Sequence, residues 1–155
     1  MNAMSREGRV EKVLWSIALP GFGQLLNGKF LKGLILIGLE VLINVQSNFN
    51  KVIIYSFQGD IQSAIDLVSY DWLMFYLCLY MFSVWDAYRD AGGGKSPYSF
   101  LPFVFSAYFV TIGLIYSSSL KVFGVLFGPP MLFLIPGISI GLLINIALGN
   151  LKVKK

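Results

Sequence analysis

The sequence predicts an all-α membrane protein with four transmembrane helices and an N-terminal segment that re-enters the membrane or lies at its surface. Of the 155 residues, 56% are hydrophobic and only 13% are charged, and the mean hydropathy is +0.71. One small soluble core cannot bury that much apolar surface. The apolar residues also form runs close to the roughly 20 residues that cross a hydrocarbon core. We therefore treat residues 1–155 as a single integral membrane domain.

The composition also excludes several kinds of site. The chain has no histidine and a single cysteine, Cys78. Zinc sites built on Cys and His, Cys-His or Ser-His-Asp catalysis and an internal disulfide are therefore unsupported, and we expect neither a metal nor a cofactor. Cys78 is expected to be a small buried hydrophobe. The net charge is +4, but the basic residues form no aromatic-lined stripe, so we expect no nucleic-acid partner.

Five apolar segments stand out, namely residues 13–26, 31–45, 72–85, 99–117 and 122–148. The first spans only about 21 Å as a helix and is interrupted by Pro20-Gly21. If it enters and returns, ten Lys and Arg residues lie on the cytoplasmic side and only Lys51 and Lys121 lie outside. If it crosses, five lie inside and seven outside. The positive-inside rule thus favours re-entry, with four spanning helices and both termini cytoplasmic in the inner membrane.

Aromatic residues and helix lengths agree with this topology. Trp72 and Trp85 lie at the two ends of the third segment and Trp15 lies near the start of the first, which are membrane-interface positions. A helix continued from residue 72 to Ala91 would reach roughly 30 Å, enough to span. The fifth segment contains breaks at residues 128–130 and at Pro136-Gly137, so its span is expected to run for about 19 residues from Met131.

The connections are predicted from periodicity and from turn residues. In residues 51–70, the spacing predicts an amphipathic helix that Gly59 divides and that lies along the outer leaflet or caps the bundle. Its apolar face consists of Ile54, Phe57, Ile61, Ile65 and Val68. Residues 91–97 (AGGGKSP) predict a flexible cytoplasmic turn.

The interruption LPGFGQLLNGKFLKG, residues 19–33, has two interpretations. In the structural one, Pro20-Gly21 ends a short helix, Gly23 lets the second segment pack closely, and Gln24 and Asn27 hydrogen-bond the loosened backbone. Such breaks survive in lipid only where protein or water covers them. In the functional one, the break lines a cavity, as discontinuous helices do in transporters.

Glu40 is the second candidate. It lies roughly 14 Å along the second segment, near mid-bilayer, so we expect it to face the bundle and to be protonated or paired. Asn44 and Ser47 share its helix face. Together with Gln24 and Asn27, Glu40 and Asn44 form a candidate intramembrane polar site, which either stabilises the bundle or handles a proton or cation.

Two further patterns concern packing. In the last segment, Gly137, Gly141, Asn145 and Gly149 recur every four residues, a pattern that permits close helix contact within the bundle or with another membrane protein. In WDAYRDA, residues 85–91, Asp86 and Arg89 are spaced for an ion pair at the membrane interface.

GFGQLLNGKFLKGLILIG (21–38) and VWDAYRDA (84–91) together resemble the TM-two family of small domains with two transmembrane helices. The Pro-Gly-x-Gly-Gln variant is also similar to short N-terminal membrane segments attached to some bacterial sugar-transport permeases. The resemblance covers about residues 10–91 and marks as signature positions Pro20, Gly21, Gly23, Asn27, Gly28, Lys32, Gly33 and Asp86. This chain differs by the amphipathic insertion, by Leu25-Leu26 in place of an aromatic-rich turn, and by an additional helical pair in residues 98–150. The resemblance implies an architecture and little biochemistry.

From these residues we expect a non-enzymatic accessory, adaptor or immunity-like module that acts by helix packing. Its partners would be membrane lipids and another membrane protein or a second copy of itself. The alternative is a small transporter or lipid- or ion-handling protein that uses Glu40. An enzyme is disfavoured because no carboxylate pair, histidine or metal cluster is placed for catalysis.

Overall fold

A computed structural model describes residues 6–117 and 134–153, and in these ranges the chain forms helices and no strands. This confirms the all-α fold class. The eight described helices are α1 (Arg6–Ala18), α2 (Phe22–Leu26), α3 (Phe30–Ser47), α4 (Phe49–Phe57), α5 (Ile61–Leu67), α6 (Tyr70–Asp90), α7 (Leu101–Ile115) and α8 (Leu134–Val153).

Helices α3, α6, α7 and α8 follow one another in an antiparallel arrangement. Lys32 at the start of α3 lies beside Asp86 near the end of α6. Gly137 lies against Ser106, and Gly141 against Pro102, so α8 descends along α7. The end of the bundle that contains Lys32, Asp86 and Asp90 is called here the Lys32 end. Helices α4 and α5 lie at the opposite end.

Of the described helices, only α3 is by itself long and apolar enough to cross a membrane. A second possible span is counted if α5 and α6, which meet at 90°, are taken together. Helix α7 and residues Gly137–Ile146 are apolar but shorter than a span. Only 28% of α3 is buried, whereas the core helix of a soluble protein would be mostly buried. The structure therefore supports one or two possible spans, and the prediction of four goes beyond it.

Helices α4 and α5 close the opposite end of the core. Phe49, Val52 and Ala64 are buried against Leu73 of α6 and Leu114 of α7. The predicted division at Gly59 is confirmed, since α4 ends at Phe57 and α5 begins at Ile61. The predicted apolar face is divided at this break, because its two halves differ in burial.

Of the five residues predicted to form that face, three pack against the core and two are exposed. Ile61, Ile65 and Val68 are the three that pack. Ile54 and Phe57 point outward, and Phe57 is 77% exposed.

Two other expectations need correction. Cys78 is exposed rather than buried, because it lies on the face of α6 that also carries the exposed Phe75 and Phe82. Pro136-Gly137 does not break a helix, since Pro136 lies in the first turn of α8, where a proline is tolerated. The predicted break at residues 128–130 lies outside the described residues. The predicted extension of the third segment is confirmed by α6, which ends at Asp90.

Candidate functional site

The interruption in the first apolar segment folds the chain back on itself. Helix α1 ends at Ala18 and α2 begins at Phe22. The Trp15 and Phe22 rings meet edge to face with their centroids 6.2 Å apart. Gly23 of α2 lies against the Lys12 carbonyl and the Ser16 hydroxyl. Helices α1 and α2 thus form a hairpin, called here the N-terminal hairpin, whose tip is residues 19–21.

Gly21 places the tip against two other helices. Its φ of 103° lies in the left-handed region, which glycine adopts without steric cost. An added Cβ would meet Ile37 Cγ1 at 2.7 Å. The Gly21 amide donates to the Ser83 hydroxyl at 3.1 Å, so α6 satisfies a backbone donor that the break exposes.

Asn27-Gly28-Lys29 ends α2 in a Schellman motif. The Gly28 amide donates to the Leu25 carbonyl and the Lys29 amide donates to the Gln24 carbonyl, both at 2.9 Å. Gly28 has a φ of 72°, as the motif requires. The signature glycine at this position therefore reverses the chain into α3 while it satisfies the last carbonyls of α2.

The hairpin is held to α6 and α3 by a buried polar cluster around Asp86, called here the Asp86 cluster. The fully buried Gln24 amide donates to the Ser83 carbonyl at 2.8 Å and to Asp86 Oδ2 at 3.1 Å. Lys32 Nζ lies 2.9 Å from both Asp86 carboxylate oxygens and 2.7 Å from Asp90 Oδ2. The Asp86 side chain is only 3% exposed, whereas that of Lys32 is 39% exposed. Asp86 thus joins three helices.

The remaining contacts of the cluster are weaker or lie at its edge. The Asn27 side-chain amide donates to the Ala87 carbonyl at 2.9 Å. The predicted Asp86–Arg89 pair is present at 3.6 Å between Arg89 Nη2 and Asp86 Oδ1, but it is longer than the Lys32 contact. Lys32 is therefore the principal partner of Asp86, and the exposed Arg89 is secondary.

The hairpin reaches far along α6. The Tyr80 hydroxyl donates to the Ile17 carbonyl, which is one of the last carbonyls of α1 and has no partner within that helix. Tyr80 is ten residues before the end of α6 at Asp90, or about 15 Å along a helix that rises 1.5 Å per residue. The tip therefore lies about halfway along α6.

Glu40 lies on the buried face of α3, as predicted, and is 6% exposed. Its carboxyl is hydrogen-bonded to Tyr76 and lies close to Tyr80. Asn44 bonds instead to Asn50 at 3.4 Å. The four residues predicted to share one polar site are thus divided, because Gln24 and Asn27 bond to α6 in and beside the Asp86 cluster.

Several buried oxygens at the hairpin and on α3 have no hydrogen-bond partner among the described residues. They are Ser16 Oγ, Gln24 Oε1, Asn27 Oδ1 and Glu40 Oε2. Each is an acceptor, and Ser16 can also donate. Among the described residues no group of three or more His, Cys, Asp and Glu side chains is placed to hold a metal.

Sequence reasoning missed three residues of α6 that complete these contacts, namely Tyr76, Tyr80 and Ser83. They share with Asp86 and Ala87 the side of α6 that faces the hairpin and α3. A line of polar residues at helical spacing on an otherwise apolar helix was the signal that would have identified them.

The small residues of α8 lie partly against α7. Gly137 and Gly141 approach the α7 backbone so closely that a Cβ on Gly137 would lie 2.7 Å from Ser106 Cα. Asn145 is half-buried in the same helix. Gly149 also lies in α8, and nothing more is described of its surroundings.

Comparison of the chain with protein-family models, with curated proteins and with solved structures gave no match. The resemblance to the TM-two family therefore stays a prediction that depends on the quoted motifs. Its signature positions nevertheless come together in space, since residues from both halves of the motif meet at the Asp86 cluster and its adjoining turn.

Proposed function

We propose that this chain is a multi-pass inner-membrane protein that acts as a non-enzymatic accessory or adaptor module by packing against another membrane protein. Helices α3, α6, α7 and α8 would span the membrane, with both termini cytoplasmic and the N-terminal hairpin re-entering from the cytoplasmic side. The sequence supports this placement, because residues 72–85 of α6 carry no charge and residues 33–50 carry only Glu40.

The exposed face of α3 is the observation that carries the adaptor proposal. Large apolar side chains cover it, with exposed fractions from 53% to 75% at Leu31, Leu34, Ile35, Val41 and Val45. Gly38 lies at the centre of this face, and a Cβ there would meet nothing within 4 Å. A small residue amid large ones lets a second helix approach the backbone closely.

The hydrogen bonds of the polar residues also support the adaptor proposal. Gln24, Asn27 and Lys32 bond to α6. Four grooves formed by described residues are all lined by other side chains. Gln24, Asn27 and Lys32 thus stabilise the fold, and the exposed apolar face of α3 is left for a partner.

Crosslinking in the native membrane tests the proposal. A photo-crosslinking residue at Leu34 should capture one stoichiometric membrane partner, whereas the same residue at Phe75 of α6 should not. Gly38→Leu should abolish capture at residue 34 without reducing the amount of folded protein. Equal labelling from both positions, or capture that persists in Gly38→Leu, would refute an interface on α3.

A small transporter or ion-handling protein is the second candidate, and the unpartnered Glu40 Oε2 atom favours it. Purified protein in liposomes would then conduct protons or cations, and Glu40→Gln would abolish the flux. The adaptor proposal predicts no flux in either protein and unchanged partner crosslinking in Glu40→Gln.

A further inference from the structure

A groove lies between α1, α6 and α7 at the Lys32 end of the bundle. Its volume is about 380 Å³, and it is lined by Arg9, Val10, Val13, Leu14, Tyr88 and Phe103. This volume is in the range of roughly 300 to 1,000 Å³ that is typical of small-molecule sites. Apart from Arg9 and the Tyr88 hydroxyl, the lining is apolar.

The polar and apolar parts of the groove are ordered along its depth. Helix α1 runs inward from the Lys32 end. Its Lys12 carbonyl lies beside Gly23 and Ala87, whereas its Ile17 carbonyl, further along the helix, accepts from Tyr80. Arg9 precedes Lys12 by three residues and so lies about 4.5 Å nearer that end. Leu14 lies deeper than Arg9. Along α1, Arg9 therefore lies nearer that end of the bundle than the aliphatic side chains of Val13 and Leu14.

Aromatic packing holds the wall of the groove opposite α1. The Tyr88 and Phe103 rings stack with centroids 6.2 Å apart and planes 28° apart, and Trp85 packs on Phe103 at 5.4 Å. Trp and Tyr are the residues enriched at the level of lipid headgroups. The wall thus has the chemistry of a membrane interface and is fixed by its neighbours.

We propose that this groove binds an anionic phospholipid of the cytoplasmic leaflet, with one acyl chain along Val13, Leu14 and Phe103 and the phosphate at Arg9. Basic pockets between helices on the cytoplasmic side suit such headgroups, and an arginine makes charge-assisted, bidentate contacts with phosphate. Glu7 and Glu11 line a neighbouring groove on α1 together with Val10, Leu14 and Trp15. The inference rests on the proposed membrane placement and is independent of the adaptor role.

Native mass spectrometry of the full chain in mild detergent tests the site. Delipidated protein would be titrated with phosphatidylglycerol and with phosphatidylcholine of identical acyl chains. We expect one phosphatidylglycerol molecule to bind more tightly than phosphatidylcholine. Arg9→Gln should weaken that first binding step at least about tenfold, as expected for a lost charged hydrogen bond. Lys95→Gln, which removes an exposed charge at the same end, should change it less than about twofold.

A second variant tests the position of the acyl chain. Leu14 is 58% exposed, so Leu14→Trp can fill the groove without disturbing the core, and we expect it to weaken the binding of both lipids. The proposal is overturned if phosphatidylcholine binds as tightly as phosphatidylglycerol, if Arg9→Gln and Lys95→Gln behave alike, or if Leu14→Trp has no effect. Alkaline carbonate extraction of the same proteins distinguishes this failure from a failure of membrane placement, which would release the chain from the membrane.

Discussion

Gly23→Ala is expected to destabilise the protein through the N-terminal hairpin. The added Cβ would lie 2.8 Å from the Ala87 Cβ and within van der Waals radii of the Lys12 carbonyl oxygen and the Ser16 hydroxyl. Ser16 can rotate away, but Lys12 contributes backbone and Ala87 has no other rotamer. The clash is relieved only if α1, α2 and α6 move apart, which also strains the hydrogen bonds of Gln24.

The magnitude follows from two opposing terms. Overpacking of this kind costs about 1 to 3 kcal/mol, and the upper value applies where backbone must move. Alanine regains about 1 kcal/mol over glycine through helix propensity, which leaves a net loss of about 2 kcal/mol. Gly38→Ala in α3 is the matched control, because a Cβ there meets nothing within 4 Å and only the propensity gain applies. The two variants should differ by about 3 kcal/mol.

The assay is unfolding of purified protein by sodium dodecyl sulfate in mild micelles, followed by circular dichroism. The free energy of unfolding should fall for Gly23→Ala and stay equal or rise for Gly38→Ala. If both variants match the wild-type protein, α2 does not pack between α1 and α6, and the N-terminal hairpin as described here is refuted.

Three other variants test the contacts around the hairpin. Asp86→Ala should lower the free energy of unfolding by at least about 2 kcal/mol, and by more than Lys32→Ala does. Asp86 is buried and also accepts a hydrogen bond from Gln24, whereas the Lys32 side chain is 39% exposed. Equal losses in the same unfolding assay would contradict this order. Tyr80→Phe should lower the free energy of unfolding by about 0.5 to 1.5 kcal/mol, because the Ile17 carbonyl loses its hydrogen-bond donor. Tyr108→Phe, at a residue 62% exposed, should leave it unchanged. The reverse order would place the hairpin tip elsewhere. Glu40→Gln should retain the folded state and the partner crosslink at residue 34, and loss of the crosslink with folding intact would assign Glu40 a role in partner binding.

Much of the fold could be predicted from local patterns. Pro20 and Gly21 interrupt an apolar run, so the division into α1 and α2 follows from backbone chemistry alone. Gly59 divided the amphipathic segment in the same way. The orientation of α4 could not be predicted, because a break of three residues resets the helical phase and exposes Ile54 and Phe57.

The candidate site could be predicted only in part, because its contacts join distant parts of the chain. Asp86 and Lys32 were both noted in the sequence, but they are 54 residues apart, and spacing along one helix favoured Arg89 as the partner of Asp86. Glu40 was correctly assigned to the buried face by its position in α3. Its partner Tyr76 was not predicted, since periodicity identifies a face and does not identify the residue opposite it.

The central claim is that the N-terminal hairpin re-enters the membrane and returns to the cytoplasmic side before α3 begins. Single-cysteine labelling of Lys29→Cys in a Cys78→Ser background tests it most directly, with Gln58→Cys at the opposite end as the control. With a membrane-impermeant maleimide, residue 29 should react only after the cytoplasmic face is exposed, and residue 58 should react from outside intact cells. Labelling of residue 29 from outside would show that the first apolar segment crosses the membrane, and would contradict the re-entrant hairpin and the topology built on it.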